Sequence, residues 1–141
     1  MAATERKTCL SAGALIRDIL LLNQEVAGNV TKIFPVFTPR ADLPYIVYRR
    51  AGLEPDPNKG RLPRDVVAVE LSCYTAGYSE GVVLAEAVRS ALEGVQTSHS
   101  GLSLRSCVLT DAEEYFDNDA YVQSLTFALR ISGTNFNPQT N

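Results

Sequence analysis

The chain has 141 residues, of which 45% are hydrophobic and 21% are charged, and it carries a formal net charge of -3 with a pI of about 5.1. This length indicates one domain, which buries about 68% of its unfolded surface and folds without disulfides or a metal. The acidic balance argues against a general nucleic-acid or anionic-membrane binder, because both classes require a basic surface. No apolar stretch approaches the roughly 20 residues of a membrane-spanning helix, and the polar first eight residues predict no secretory signal.

The three cysteines, Cys9, Cys73 and Cys107, are an odd number and include no C-x-x-C spacing. A disulfide framework is therefore not expected, and the predicted compartment is reducing. Cys73 and Cys107 lie within strand patterns, where a free cysteine behaves as a small buried hydrophobic residue.

The first secondary-structure elements follow a polar arm at residues 1–8. Residues 11–23 are predicted to form a helix, because apolar side chains recur there every three or four positions. A short strand over residues 31–37 comes next. Pro35 predicts that this strand lies at a sheet edge or a bulge, since proline cannot donate a hydrogen bond to a neighbouring strand.

Two longer strands with a loop between them are predicted after this. Residues 44–51 form the second strand, and residues 64–75 form the central strand of the sheet. Residues 54–64 contain three prolines, a glycine and charges of both signs. This composition predicts a long, exposed hairpin loop. In the central strand every second residue is apolar, which gives the sheet one dry face; these residues are Val67, Val69, Leu71 and Cys73.

A second helix and two further strands complete the pattern. Residues 79–93 carry an apolar stripe at helical spacing, and Gly94 is suited to end that helix. Residues 102–110 and 120–132 are predicted as strands. In the last strand every second residue from Tyr121 to Ile131 is apolar, with one exception at Gln123, and the residues between them are mixed in polarity.

The resulting order is helix, three strands, helix, two strands (α-β-β-β-α-β-β). This order predicts the α+β class, with an antiparallel sheet and two helices packed on its apolar face. Residues 1–141 are expected to form a single domain. Within it, residues 1–8 are the N-terminal arm, residues 10–132 the folded core and residues 133–141 a polar C-terminal tail.

The chain offers little catalytic chemistry. His99 is the only histidine and lies in a predicted Ser/Thr-rich turn, where an exposed side chain is the usual outcome. Cys107 is the cysteine nearest to it in sequence, but a thiol among apolar residues keeps its proton. The chain has no glycine-rich phosphate loop and too few His and Cys residues for a zinc site. We therefore predict no enzymatic activity, no metal site and no cofactor.

Two charged segments stand out, a basic hairpin around residues 54–64 and an acidic loop over residues 111–119. The acidic loop lacks the glycine and the glutamate of an EF-hand, so a solvated loop is favoured over a calcium site. In a ring of identical subunits, the two segments would be complementary across each heterologous contact. Alternatively, the acidic loops would line a lumen and repel DNA. The candidate residues are Arg49, Arg50, Glu54, Asp56, Lys59, Arg61 and Arg64 in the basic hairpin, and Asp111, Glu113, Glu114, Tyr115, Phe116, Asp117 and Asp119 in the acidic loop.

Five segments of the chain, taken in their order and spacing, resemble the tail terminator family of tailed bacteriophages, also called tail completion or tail-to-head joining proteins. The likeness spans about residues 10–132. The matching segments are IFP at 33–35, LPYIVY at 43–48, VELSCY at 69–74, AEAVRSAL at 85–92 and YVQSLTF at 121–127.

The resemblance implies a structural virion protein that forms a ring, expected to be a hexamer, at the head-proximal end of the tail tube. Such a ring ends tube polymerisation and joins the tail to the head. The implied partners are other copies of the chain, the tail tube protein and a head connector or neck protein. DNA would pass through the lumen without sequence-specific binding, and no membrane is involved. The family has no catalytic residues to transfer.

The implied location is the virion tail, after assembly in the cytoplasm of a bacterial host. The particle could be a phage, a prophage-derived particle or a gene transfer agent. From its position, the basic hairpin is assigned to the contact with the tube or the connector. Two alternatives stay open: a head-completion or neck connector protein, and a small ligand-binding or enzymatic α+β domain with a concave polar pocket.

Overall fold

The computed structural model describes residues 9–37, 41–55, 64–99 and 101–133. A 3₁₀ turn at Cys9–Ser11 leads into helix α1 (Ala12–Leu21). Helix α2 (Gln24–Ala27) follows after two residues. Helix α3 (Tyr78–Leu92) comes later in the chain, after the third strand and before the fourth. The predicted helices at 11–23 and 79–93 are confirmed as α1 and α3. The short α2 was missed.

Within the described residues, six strands form one sheet in the spatial order β1-β2-β3-β6-β5-β4. The central pair is β3 and β6, which are antiparallel along the whole length of β3. The strands are β1 (Lys32–Pro35), β2 (Tyr45–Pro55), β3 (Arg64–Thr75), β4 (Thr97–His99), β5 (Leu102–Asp117) and β6 (Ala120–Gly133).

The α+β class is confirmed, but the sheet is mixed and not wholly antiparallel. Strand β1 pairs with β2 in parallel, from Lys32 opposite Tyr45 to Pro35 opposite Tyr48. A two-residue hairpin joins only antiparallel strands, so β1 and β2 are not a hairpin. Pro35 does lie in an edge strand, as its missing N–H predicted.

Two short elements occupy segments that the sequence predicted as connections. In α2, the side chain of Asn23 accepts a hydrogen bond from the N–H of Val26 at 3.1 Å, so a polar cap starts a helix of one turn. Strand β4 pairs with the start of β5, from Thr97 opposite Leu104 to His99 opposite Leu102. His99 thus belongs to an edge strand rather than to a turn.

The helices cover only one face of the sheet. The alternating residues of β3 that predicted the dry face are all fully buried there, and α1 and α3 pack against them. Gly94, two residues after the end of α3, has a φ of +79°, a conformation that favours glycine. Its N–H donates to the carbonyl of Cys107 at 2.8 Å. This bond ties the end of the helix to β5. The largest side chains of the core are Phe127, Ile16, Leu20, Ile46, Leu71 and Leu92.

Two valines of α3 provide a matched test of this one-sided packing. Val88 is fully buried, whereas Val83 is 66% exposed on the same helix. We expect Val88→Ala to lower the free energy of unfolding by about 2 kcal/mol, since it removes two buried methyl groups and leaves a cavity. Val83→Ala should change it by less than about 0.5 kcal/mol. Equal losses in urea unfolding would show that the exposed side of α3 is also packed.

Candidate interaction surfaces

The acidic segment predicted as a loop is the paired arm of a long β-hairpin. Strand β5 runs through the segment and pairs with β6 from Asp111 opposite Thr126 to Asp117 opposite Ala120. The connection is only two residues, Asn118 and Asp119, and both have a positive φ, of 52° and 60°. Such two-residue turns match the twist of a hairpin, and Asn and Asp adopt them more readily than most residues. The loop prediction is therefore wrong, because it followed charge and overlooked the Asn-Asp turn.

Glu114 is the best-anchored acidic side chain of this hairpin. Its Oε1 accepts hydrogen bonds from the hydroxyl of Tyr78 at 2.9 Å and from Nε2 of Gln123 at 2.8 Å. These two hydrogen bonds lower the pKa of Glu114 below its ordinary value, and the bond from Gln123 has the larger effect. Glu114 thus links the start of α3 to the hairpin and fixes the angle at which the hairpin leaves the core.

Exposed aromatic rings surround this hydrogen-bonded centre. Phe116 contacts Tyr121 edge-to-face with ring centroids 5.1 Å apart, and Tyr121 contacts Tyr78 in the same manner at 6.0 Å. Phe116 is 59% exposed. Together with Tyr115 they border a shallow depression of about 230 Å³. Exposed aromatic residues grouped in this way are typical of protein interaction sites.

The sheet face opposite the helices carries a second aromatic row. Tyr45 stacks on Tyr74 with ring centroids 4.8 Å apart, and Phe34 meets Tyr45 edge-on at 5.9 Å. Nζ of Lys32 lies 5.6 Å from the ring centroid of Phe34, within cation–π range. Partial burial raises the pKa values of Tyr45 and Tyr74. No helix of the described residues covers this row, so it is an open and partly apolar surface.

The basic residues predicted for a hairpin loop lie partly in strands. Arg49 is in β2, and its Nε donates to Oε1 of Glu70 at 2.6 Å. Oε2 of Glu70 also accepts from the hydroxyl of Ser124 at 3.2 Å. Arg50 donates to the carbonyl of Leu10 at 3.0 Å. Both arginines are therefore part of the folded sheet.

The boundaries of the predicted hairpin loop need correction. Glu54 is exposed near the end of β2, and Arg64 is the first residue of β3. Strand β2 therefore includes Glu54 and Pro55, which the sequence had placed in the loop. Asp56, Lys59 and Arg61 lie outside the described residues.

The described residues contain few groups suited to catalysis. Burial raises the pKa of Cys73 to about 12, and the thiols of Cys9 and Cys107 have similar values, so all three stay protonated. Within these ranges no three His, Cys, Asp or Glu side chains come together as metal ligands. A groove of about 480 Å³ between α2 and α3 is lined by Glu25, Glu80 and Glu86 among others. In the part of the chain that is described, no helix is long and apolar enough to cross a membrane.

Comparison with known proteins identifies the family. The family model described as tail completion protein gp17 matches residues 14–132, which is most of the chain. This chain is a member of the tail completion protein gp17 family. Membership gives it a structural role in a phage tail and confirms the resemblance recognised in the sequence. No relative is found among curated proteins.

A solved structure shares the fold of this tail completion protein. It is a chain from a structure titled "Virion of native gene transfer agent (GTA) particle". The two chains superpose with a TM-score of 0.68 at 21% sequence identity, over 88% of this chain and 95% of the other. Almost the whole of that subunit is thus matched.

The anchoring of Glu114 can be tested by titration. We expect Tyr78→Phe to raise the pKa of Glu114 toward its ordinary value of about 4.5, because one of the two hydrogen bonds to the carboxylate is lost. The measurement is an NMR titration of the Glu114 side chain. Tyr121→Phe is the matched control, since that ring belongs to the same cluster but its hydroxyl does not bond to Glu114.

The same titration has a signed consequence for stability. Because the pKa of Glu114 is lower in the folded state, its contribution is present above the unfolded value and is lost as the pH falls through the folded value. Tyr78→Phe should therefore flatten the pH dependence of unfolding below about pH 4.5. An unchanged pKa in the Tyr78→Phe variant would contradict the assigned hydrogen bond.

Proposed function

We propose that this protein forms a ring that caps the head-proximal end of a phage or phage-like tail tube, ends tube polymerisation and joins the tail to the head. The observation that carries the proposal is the distribution of charge in one small sheet. The β5–β6 hairpin is acidic and exposed on one side, and Arg49, Arg50 and Lys32 lie toward the other. Family membership supports the tail as the setting.

Opposite charges at opposite sides of a subunit favour head-to-tail contacts. A contact between two different surfaces is heterologous, and it closes into a ring when the rotation between subunits divides a full turn. Charge complementarity also selects the correct neighbour and orientation. A ring of about six copies follows from the family resemblance and is part of the proposal.

The two charged segments receive distinct roles in this ring. The basic segment contacts the tube protein or the head connector; its residues are Glu54 near the end of β2, Arg64 at the start of β3, and Asp56, Lys59 and Arg61 between them in sequence. The acidic hairpin lies toward the neighbouring subunit or the lumen. DNA passes through without sequence-specific recognition, since acidic side chains repel its phosphates.

The proposal places the protein in the virion tail after assembly in the bacterial cytoplasm. The fold shared with a subunit from a gene transfer agent virion is consistent with this setting. The partly apolar face around Tyr45 and Tyr74 gives such a ring a further surface for protein contacts. The ring needs no metal or cofactor.

The test is assembly with and without the tube protein. We expect the purified protein, alone or with tube protein, to form rings of about six copies, seen by native mass spectrometry. Added to polymerising tube protein, it should give tubes of defined maximum length with the protein at one end only. Asp111→Lys combined with Glu113→Lys should weaken ring formation, because both charges lie on the exposed hairpin.

Glu86→Lys is the matched control for charge reversal, since Glu86 lies on α3 away from both charged segments. It should assemble like the wild type. A protein that stays monomeric at high concentration and leaves tube length unchanged contradicts the proposal. Cross-linking to the portal side but not to the tube would favour the neck connector alternative.

A further inference from the structure

Two strands extend beyond their outer neighbours and leave open edges on opposite sides of the sheet. Strand β1 pairs with β2 only at Tyr45–Tyr48, and β4 pairs with β5 only at Leu102–Leu104. Among the described residues, no main chain pairs with the outer edge of residues 49–55 in β2 or of residues 110–117 in β5. We name these stretches the β2 open edge and the β5 open edge.

The part of β5 between β4 and this open edge is closed by other groups. The carbonyl of Arg105 accepts from Gln96, and that of Cys107 accepts from the N–H of Gly94. The N–H of Leu109 donates to Oε2 of Glu93 at 3.2 Å. The chain thus satisfies the outer edge of β5 as far as Leu109 and then stops. The remaining eight residues, 110–117, are therefore the part of β5 whose outer main-chain groups are open to a partner strand.

The alternation of main-chain hydrogen bonds along β5 shows which N–H and C=O groups of the β5 open edge point away from β6. The N–H of Leu109 points away from β6, since it donates to Glu93. Thr110 is an extra residue that forms a bulge, and the next residue, Asp111, pairs with Thr126 of β6. Along a strand, residues whose main-chain groups bond to the neighbouring strand alternate with residues whose main-chain groups point away from it. The N–H and C=O groups at the open edge therefore belong to Ala112, Glu114 and Phe116.

The same reasoning applies to the β2 open edge. The carbonyl of Tyr48 accepts from Val36, so Tyr48 points outward, and Arg50 does the same two residues later. A bulge between Arg50 and Gly52 shifts the alternation, and Leu53 becomes the next outward residue. The β2 open edge therefore presents the N–H and C=O groups of Arg50 and Leu53, and Pro55, the outward residue after Leu53, presents only its C=O.

The charges at the two edges have opposite signs. The β2 open edge carries Arg49 and Arg50 against one acidic residue, Glu54, whereas the β5 open edge carries Asp111, Glu113 and Glu114 with no basic residue. Charge on an edge strand commonly serves to keep copies apart. That purpose is met by the same sign on both edges, whereas opposite signs attract a second copy in one orientation. Arg49, Asp111 and Glu113 also lie on the same sheet face.

We propose that the β2 open edge of one subunit pairs with the β5 open edge of the next, so that the sheet continues from subunit to subunit around the ring. The inference rests on the proposed ring and names the contact that builds it. The pairing is antiparallel, because β2 and β5 run in opposite directions within the sheet. This contact does not involve residues 56–63, which stay available to the tube or the connector in the proposed function.

The positions of the two edges also explain closure. Gly52, at the middle of the β2 open edge, is level with Val108, whereas the middle of the β5 open edge is near Glu113. Pairing therefore displaces neighbours by about five residues, roughly 16 Å along the strands. Each subunit adds four strands, or roughly 19 Å across them. Strands so displaced tilt by about 40° from the ring axis, a value typical of closed barrels.

Ala112 allows a test of the main chain alone. Its side chain is exposed and its N–H points outward, so Ala112→Pro removes an edge donor without breaking a bond inside the sheet. We expect this full-length variant to keep its melting temperature within a few degrees and to require at least about tenfold higher concentration for ring assembly. Ala112→Val keeps the N–H and should assemble like the wild type.

Mixing two defective variants tests which edges meet. Arg49→Glu combined with Arg50→Glu should block the β2 open edge, while Ala112→Pro blocks the β5 open edge. Each variant alone should be monomeric by mass photometry. An equal mixture should form dimers and no rings, because one intact edge remains on each partner. Thermal melting of each variant verifies that it is folded.

The outcomes separate this inference from the function on which it rests. If Ala112→Pro forms rings as readily as the wild type, the edge pairing is overturned and the capping function is left intact. Dimers of the arginine variant by itself would show that two β5 edges meet, which also overturns it. A wild-type protein that never forms rings, even with tube protein, overturns both.

Discussion

The antiparallel ladder of β3 with β6 is the constraint on which the rest of the structure depends. It pairs the whole of β3 and places Val69 beside Phe127 and Leu71 beside Leu125 on one face. These side chains are buried, and helices α1 and α3 pack against the face that they form. Because a strand points successive side chains to opposite faces, this register also decides what the other face displays. Glu70, Ser72 and Tyr74 must then lie on the side without helices.

The two-sided character of the ladder explains why the core was predictable. Alternation in β3 and in β6 requires one dry face, and a helix with a 3.6-residue stripe is the element that covers it. The residues Val67 and Leu129 follow this rule without help from distant contacts. Local spacing therefore predicted the α+β class, the central strand and both long helices from the sequence alone.

The misses have a common physical cause. Strand β5 extends into the acidic segment because a partner strand offers hydrogen bonds and a turn at Asn118 and Asp119 supplies the reversal. Charge density predicts exposure correctly, but exposure does not distinguish a solvated loop from the edge of a sheet. Likewise, the parallel pairing of β1 depends on the path of the chain after Pro35, which local pattern does not encode. Tyr78, which anchors Glu114, carried no signal in the sequence, because the contact spans 36 positions.

The site is thus harder to predict than the core because its chemistry lies in the main chain. Side-chain types indicate where charge accumulates, and they directed attention to the two charged segments for which roles are proposed above. The open edges arise instead from a mismatch in strand length, with β1 and β4 short and β2 and β5 long. A chain in isolation leaves such edges in contact with water and must guard them with charge. In this member of the tail completion family the charges at the two open edges have opposite signs, so charge that keeps like edges of two copies apart also favours, in the proposed ring, the contact between unlike edges.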